Sequence, residues 1–242
     1  MKFPGGVLVV TGTGTGVGKT VATAALAANA SARALRVAVV KPAQTGAAPG
    51  EPGDLAQVRR LSGVRGTHEF ARFPGPLSPE AAARVSGLPP LDLAAAATRI
   101  KALAAASDLV LVEGAGGLLV RYDPAGATLA DLASALGAAV LVVVPAGLGT
   151  LNHTALTLEA LAARRLALAG VVIGAWARRA GLAERCNVAD LTALAGEPLA
   201  GAIPAGAGRL GERAFRRLAT EALAPHLGGR FDPAGFGERH IP

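Results

Sequence analysis

The sequence predicts an α/β fold: a single domain, residues 1–242, built on a mostly parallel β-sheet with helices on both faces. Two observations predict it. Short continuous apolar runs recur along the chain, and Ala/Leu-rich stretches of helical length separate them. Strands buried on both faces read this way, whereas half-exposed strands alternate. The composition agrees, with 51% hydrophobic and only 17% charged residues among 242. That balance excludes a disordered chain and suffices for one sizeable core. With 3% aromatics, the core has to come from Ala, Val and Leu.

Each element has its own local reason. Residues 7–11 are continuous, β-branched and stopped by glycine, which makes a first strand. Residues 20–32 have helical composition, and 36–40 form a second strand. Helices follow over 54–61 and 92–106, then a third strand at 109–112. A short helix at 129–136 leads to a fourth strand at 139–144, and a helix at 152–164 to a fifth at 171–173. A sixth strand at 199–203 and a helix at 212–223 complete the pattern. Residues 42–53 and 66–79, rich in Pro and Gly, read as long active-site loops. The tail, 228–242, reads as loosely packed.

The formal charge of +7 invites a nucleic-acid reading, but 20 of the 24 basic residues are Arg, scattered in pairs such as Arg59-Arg60 and Arg216-Arg217. A solvated surface is expected, with no nucleic-acid partner. The single cysteine, Cys186, cannot form an internal disulfide and has no histidine near it in sequence, so it reads as a structural thiol. Met1 leads straight into a strand-like segment, and no apolar run reaches about 18 residues. The expectation is a soluble, cytoplasmic protein without a membrane partner.

In a parallel sheet covered on both faces, ligands bind at the carboxyl ends of the strands. After the first strand comes Thr11-Gly12-Thr13-Gly14-Thr15-Gly16-Val17-Gly18-Lys19-Thr20. A dinucleotide fingerprint fails here, because its third glycine would fall on Val17 and no acidic residue ends the second strand. A phosphate loop fits. Backbone N–H groups from Gly14 to Gly18 face an anion at a helix start, Lys19 reaches the β and γ phosphates, and the Thr20 hydroxyl binds Mg²⁺. The departure is five residues between Gly12 and Gly18 where four are usual. This makes the fold a P-loop NTPase type.

The second strand ends in Lys41-Pro42-Ala43-Gln44-Thr45-Gly46. A lysine at that edge can neutralise a transferring phosphoryl group, and Lys41→Ala is expected nearly to abolish turnover while leaving the fold and nucleotide binding largely intact. The third strand ends in Val112-Glu113-Gly114-Ala115-Gly116-Gly117, where a carboxylate suits Mg²⁺ or an oriented water. Asp54 suits a helix cap as well as a metal ligand, and sequence leaves both open. After the fourth strand, Thr150 and Asn152 read as caps of a helix whose free N–H groups can hold a second anion, such as a carboxylate. His153 reads as packed or capping, and His68, His226 and His240 show no ligand spacing.

Taken together, these loops resemble the dethiobiotin synthetases. The phosphate loop at 11–20, the 41–46 and 112–117 segments, Gly149-Thr150-Leu151-Asn152-His153-Thr154, and Pro198 to Pro204 stand in that family's order. The resemblance implies Mg²⁺ and ATP, with diaminopelargonate and CO₂ as co-substrates. A carbamate takes the γ-phosphoryl group, and the second amine closes a ureido ring and releases phosphate. It implies that Lys19 and Lys41 bracket the transferring group, that Thr20, Asp54 and Glu113 hold Mg²⁺, and that Glu113, Gly174 and Pro204 join the phosphate loop around the nucleotide. Thr15, Lys41, Thr45 and Gly116 would contact substrate. Gly149, Thr150, Leu151 and Asn152 would hold its carboxylate beside the partner of a homodimer. Two departures stand out: Gly16 replaces a frequent acidic residue, and Gly174 replaces a base-reading Asn. The rival on this fold is a partitioning or assembly switch ATPase, but such proteins carry an extra early lysine, and Lys19 is the only lysine between residues 3 and 40. Amidotransferase-type ligases need a glutaminase cysteine, a context Cys186 lacks.

Overall fold

The computed structural model describes residues 6–240. Met1 to Gly5, read as leading into the first strand, and the last two residues of the tail lie outside the described residues. One sheet carries seven strands: β1 (Val7–Gly12), β2 (Val37–Thr45), β3 (Thr67–Phe73), β4 (Leu109–Gly117), β5 (Ala139–Val144), β6 (Leu168–Trp176) and β7 (Gly201–Pro204). Their order is β3-β2-β4-β1-β5-β6-β7, and every ladder between neighbours is parallel. All carboxyl ends therefore share one edge. Because β4 lies between β2 and β1, Lys41 of β2 and Glu113 of β4 meet Lys19 at the start of α1 there.

Helices α1 (Lys19–Ser31), α2 (Asp54–Ser62) and α8 (Glu212–Ala222) cover one face. On the other lie α3 (Pro79–Ser86), α4 (Leu93–Ala106), α5 (Leu129–Leu136), α6 (Thr150–Ala163), α7 (Leu182–Ala195) and α9 (Pro233–His240). The period-2 geometry of a strand sorts β1 between the two cores: Val7 and Val9 join one, Leu8 and Val10 the other. Helix α1 is buried almost all round by Ala22, Ala24, Ala25, Ala27 and Ala28. Side chains that small let it lie between the sheet and both α2 and α8. Among the described residues no helix is long and apolar enough to cross a membrane.

The sequence reading needs four corrections. Residues 66–79 are not a loop, since they contain β3 and the start of α3. β3 is an edge strand, only partly buried and carrying His68, Glu69 and Arg72, so it lacks the continuous apolar run of its neighbours. β2 does not end at residue 40 but runs through Pro42 to Thr45. Its ladder with β4 stops at Val40, so beyond that point only β3 pairs with it, and the missing Pro42 N–H costs no bond. The tail is not loose: Phe236 of α9 is 6% exposed and stands edge-on to Trp176, with ring centroids 5.0 Å apart. Cys186 is exposed on α7 and packs in no core, because the inward positions belong to Asn187 and Val188.

Candidate active site

The β1–α1 loop closes on glycines that the geometry demands. Gly18 is the α1 N-cap at φ +102°, a left-handed conformation that side chains resist. A Cβ on Gly18 would lie 2.7 Å from the Gly174 carbonyl oxygen. One on Gly174 would lie 1.9 Å from the Val17 oxygen. The loop thus rests backbone to backbone on the end of β6, and Gly174 is its seat. No side chain can stand at residue 174 to read a base while the loop lies there.

From this start of α1, Lys19 folds back to donate to the Gly14 carbonyl at 2.7 Å. Thr20 donates its hydroxyl to Glu113 Oε1 at 2.9 Å. Lys41, 3% exposed, donates to Glu113 Oε1 at 2.8 Å and to the Gly114 carbonyl at 3.0 Å, and its ammonium pairs with Asp54 Oδ2 at 2.5 Å. Glu113 is fully buried, and its second oxygen has no partner. Asp54 is not the helix cap, since Gly53 holds that position.

These groups shift one another. Burial alone would lower the Lys41 ammonium, but Glu113 and Asp54 outweigh it and hold it above the ordinary lysine value. Burial pushes the Asp54 carboxyl up, and Lys41 more than offsets that, leaving it low. Burial, and next the nearby Lys41 charge, bring Lys19 down to about 8 from 10.5. An unfolded chain holds that proton more tightly, so Lys19 opposes folding below about 8 and the penalty fades as pH rises toward 10.5. A bound polyphosphate favours the charged form. We therefore expect metal-free triphosphate affinity to fall above about pH 8, approaching tenfold per pH unit, with proton uptake on binding. Calorimetry in EDTA, in buffers of different ionisation enthalpy, measures both. A constant affinity through this range would show that Lys19 is not the phosphate contact.

Thr15, Gly16, Gly18, Lys19, Thr20, Lys41, Thr45, Asp54, Glu113 and Gly116 come together around one cavity of about 680 Å³. Gly14 and Thr15 also face a second groove of about 440 Å³, with His153 and Leu156 on its far wall. Val17 packs on Gly174, and Pro204 is exposed at the end of β7. Gly149, Thr150, Leu151 and Asn152 line neither cavity; they form the start of α6. Thr150 and Asn152 are not its caps: Gly149 is, at φ +87°, while the Thr150 hydroxyl is buried without a partner and Asn152 is exposed.

Sequence reasoning missed Gln44, Gln57 and Leu77 on the cavity wall. It also missed Tyr122, whose buried hydroxyl accepts the Ala115 N–H at 2.8 Å and so fixes the glycine turn after Glu113. Gln44 lies within the 41–46 segment, and a β2 continued past Pro42 would have exposed its role.

The arrangement fits Mg²⁺. Among the described residues no three His, Cys, Asp or Glu side chains gather to hold a metal on their own. Two carboxylates and a hydroxyl at a phosphate loop suit an ion that completes its octahedron with phosphate and water. The unpartnered Glu113 oxygen is a ready site for a cation or its water.

The family model described as an AAA domain matches residues 7–208. In solved structures, the Pyrococcus furiosus cell division ATPase MinD superposes with a TM-score of 0.54 at 20% identity, over 97% of this chain and 94% of that one. That likeness shows the fold. Among sequences, the ATP-dependent dethiobiotin synthetase BioD of Frankia casuarinae is 61% identical over 84% of this chain and 86% of its own. That of Parafrankia sp. is 59% identical over 97% and 98%. The Streptomyces coelicolor protein of the same name is 56% identical over 98% and 99%. On that likeness, extending over nearly the whole of both chains, the protein belongs to the ATP-dependent dethiobiotin synthetase family.

Proposed function

We infer that the protein converts diaminopelargonate, CO₂ and ATP to dethiobiotin, ADP and phosphate. It is an ATP-dependent ligase that closes a ureido ring. The observation that carries the chemistry is the pair of lysines, Lys19 at the start of α1 and Lys41 in β2, at one cavity. An amine of the substrate adds to CO₂ to give a carbamate. A carbamate oxygen attacks the γ-phosphorus, and ADP departs with the electron pair of the broken P–O bond. The second amine then attacks the carbamate carbon, expels phosphate and closes the ring.

No protein nucleophile is needed. Positioning and charge neutralisation suffice. We assign Lys19 to the β and γ phosphates and Lys41 to the transferring phosphoryl oxygens and the carbamate. Gly14 to Gly18 supply N–H donors, and Thr15, Thr45 and Gly116 border the carbamate end. Thr20, Asp54 and Glu113 would hold Mg²⁺, which screens phosphate charge. With Asp54 holding the ion, the Lys41 ammonium would be available to a phosphoryl oxygen. The backbone of Gly174 and Pro204 would border the nucleotide.

The protein is proposed to act as a homodimer in the cytoplasm, where triphosphate is supplied. Leu119, Leu156 and the 90% exposed Leu148 surround the second groove and the start of α6. A second copy seated there would cover them and bring Gly149 to Asn152 of one protomer to the substrate carboxylate of its partner. Sedimentation giving the mass of one chain at assay concentration would sink the dimer.

The function is tested by incubating the protein with Mg²⁺, bicarbonate, diaminopelargonate and each nucleoside triphosphate in turn. Mass spectrometry should find dethiobiotin only when diamine and triphosphate are both present. Triphosphate hydrolysis indifferent to the diamine would reject the synthetase reading in favour of a switch ATPase.

A further inference from the structure

We propose that Gln44 and Arg72 are positioning residues that set the Asp54 carboxylate at the Lys41–Glu113 pair before any ligand enters. The inference rests on the reading of Asp54 as a cation ligand. Gln44 of β2 and Arg72 of β3 are register partners across the edge of the sheet. The Gln44 side chain spans the gap to α2, where its Oε1 accepts the Asp54 N–H at 2.8 Å while its Nε2 donates to the Thr45 carbonyl at 2.9 Å. Arg72 grips the approach to α2: its Nη1 donates to the carbonyls of Ala48 at 3.1 Å and Glu51 at 3.0 Å. Its Nε and Nη2 are held by both oxygens of Glu69, at 2.7 and 2.9 Å. A bidentate pair fixes the guanidinium plane as well as its position.

Gly53 is the meeting point. A Cβ there would lie 2.6 Å from Gln44 Oε1 and 3.0 Å from Arg72 Nη2. Its backbone, at φ −99° and ψ −169°, is one that any residue adopts. The glycine therefore leaves room for the two side chains above it and is not demanded by the chain's own path. The loop at 46–53 has little apolar packing, so these bonds supply the fixed geometry that a cation ligand on a loop-borne helix start needs.

Three variants disturb the brace without touching the carboxylate: Gln44→Leu, Arg72→Ala and Gly53→Ala. The last removes no functional group and only pushes both side chains aside. Two readouts apply. Hydrogen exchange at the Asp54 amide in the ligand-free protein should quicken about tenfold in Gln44→Leu and Gly53→Ala. Mn²⁺ binding followed by electron paramagnetic resonance in the presence of ADP should weaken about tenfold in all three. ADP binding in EDTA should stay unchanged in Arg72→Ala and Gly53→Ala, whose residues do not line the cavity, and circular dichroism would verify folding. If Arg72→Ala does not fold, Gly53→Ala carries the test.

Asp54→Asn serves as the reference. Weaker Mn²⁺ binding in Asp54→Asn, with wild-type binding in the three brace variants, would overturn the positioning role and leave the metal reading intact. Unchanged Mn²⁺ binding in Asp54→Asn would remove the metal reading. Amide exchange then decides alone, and wild-type exchange in Gln44→Leu and Gly53→Ala would overturn the brace.

Discussion

Lys41→Ala is expected to lower turnover by about 10³-fold or more and to remove about 3–5 kcal/mol of stability. The first effect follows from removing the cation assigned to the transferring phosphoryl group. The second was not foreseen from sequence, where loss of Lys41 is expected to spare the fold. In the structure Lys41 is buried between Glu113 and Asp54, and the second Glu113 oxygen already lacks a partner. Deleting the ammonium leaves two carboxylates facing each other with nothing to neutralise Glu113 in its buried site. Mg²⁺ should then raise the melting temperature of the variant more than that of wild type, because the ion replaces the lost charge. Steady-state rates and thermal melts with and without Mg²⁺ test both halves. Near-normal turnover would end the clamp assignment, and an unchanged melting temperature would show that the triad adds nothing to stability.

Gly174→Ala is the second large effect, and it acts through backbone packing. The new methyl would sit 1.9 Å from the Val17 oxygen and 2.7 Å from Val143 Cγ1. The oxygen belongs to backbone, so no rotamer change relieves the contact. The phosphate loop has to lift. Overpacking of this kind costs about 1–3 kcal/mol, and displacement of the loop should weaken triphosphate binding by roughly 10- to 100-fold. Gly174→Asn should be no better, because its Cβ meets the same oxygen before any amide can reach a base. Equilibrium binding of a non-hydrolysable triphosphate measures this. Wild-type affinity in Gly174→Ala would mean that the loop does not rest on β6 when it binds nucleotide.

Much of the site was legible because its chemistry sits where strands end. The apolar run of β1 stops at Gly12, that of β4 leads to Glu113, and in a parallel sheet both ends fall on one edge. Periodicity located the central strands well, and β5 was placed at residues 139–144 as the structure has it. It failed where burial is one-sided. β3 hides behind Glu69 and Arg72, which are charged because an edge needs such side chains. Pro42 masked the extension of β2, and with it the register that brings Gln44 to Arg72. The start of α6 was misjudged for another reason. Thr and Asn are good caps by type, but a left-handed Gly149 took the position and turned Thr150 inward. Such choices depend on the path of the chain, which residue type alone does not carry.

The docking of α9 on β6 gives the molecule a built-in reporter. The chain has one tryptophan, Trp176, two residues beyond Gly174 at the end of β6. Phe236 and His240 stand against it at centroid distances of 5.0 Å each, and its carbonyl accepts the Ala205 N–H at 2.7 Å, beside Pro204. Indole fluorescence therefore comes from one known place, touching both the C-terminal helix and the strand that seats the phosphate loop. A change in emission on adding nucleotide would report that movement at the loop travels through β6 to the far end of the chain. Unlabelled protein suffices to follow it on the timescale of a single turnover.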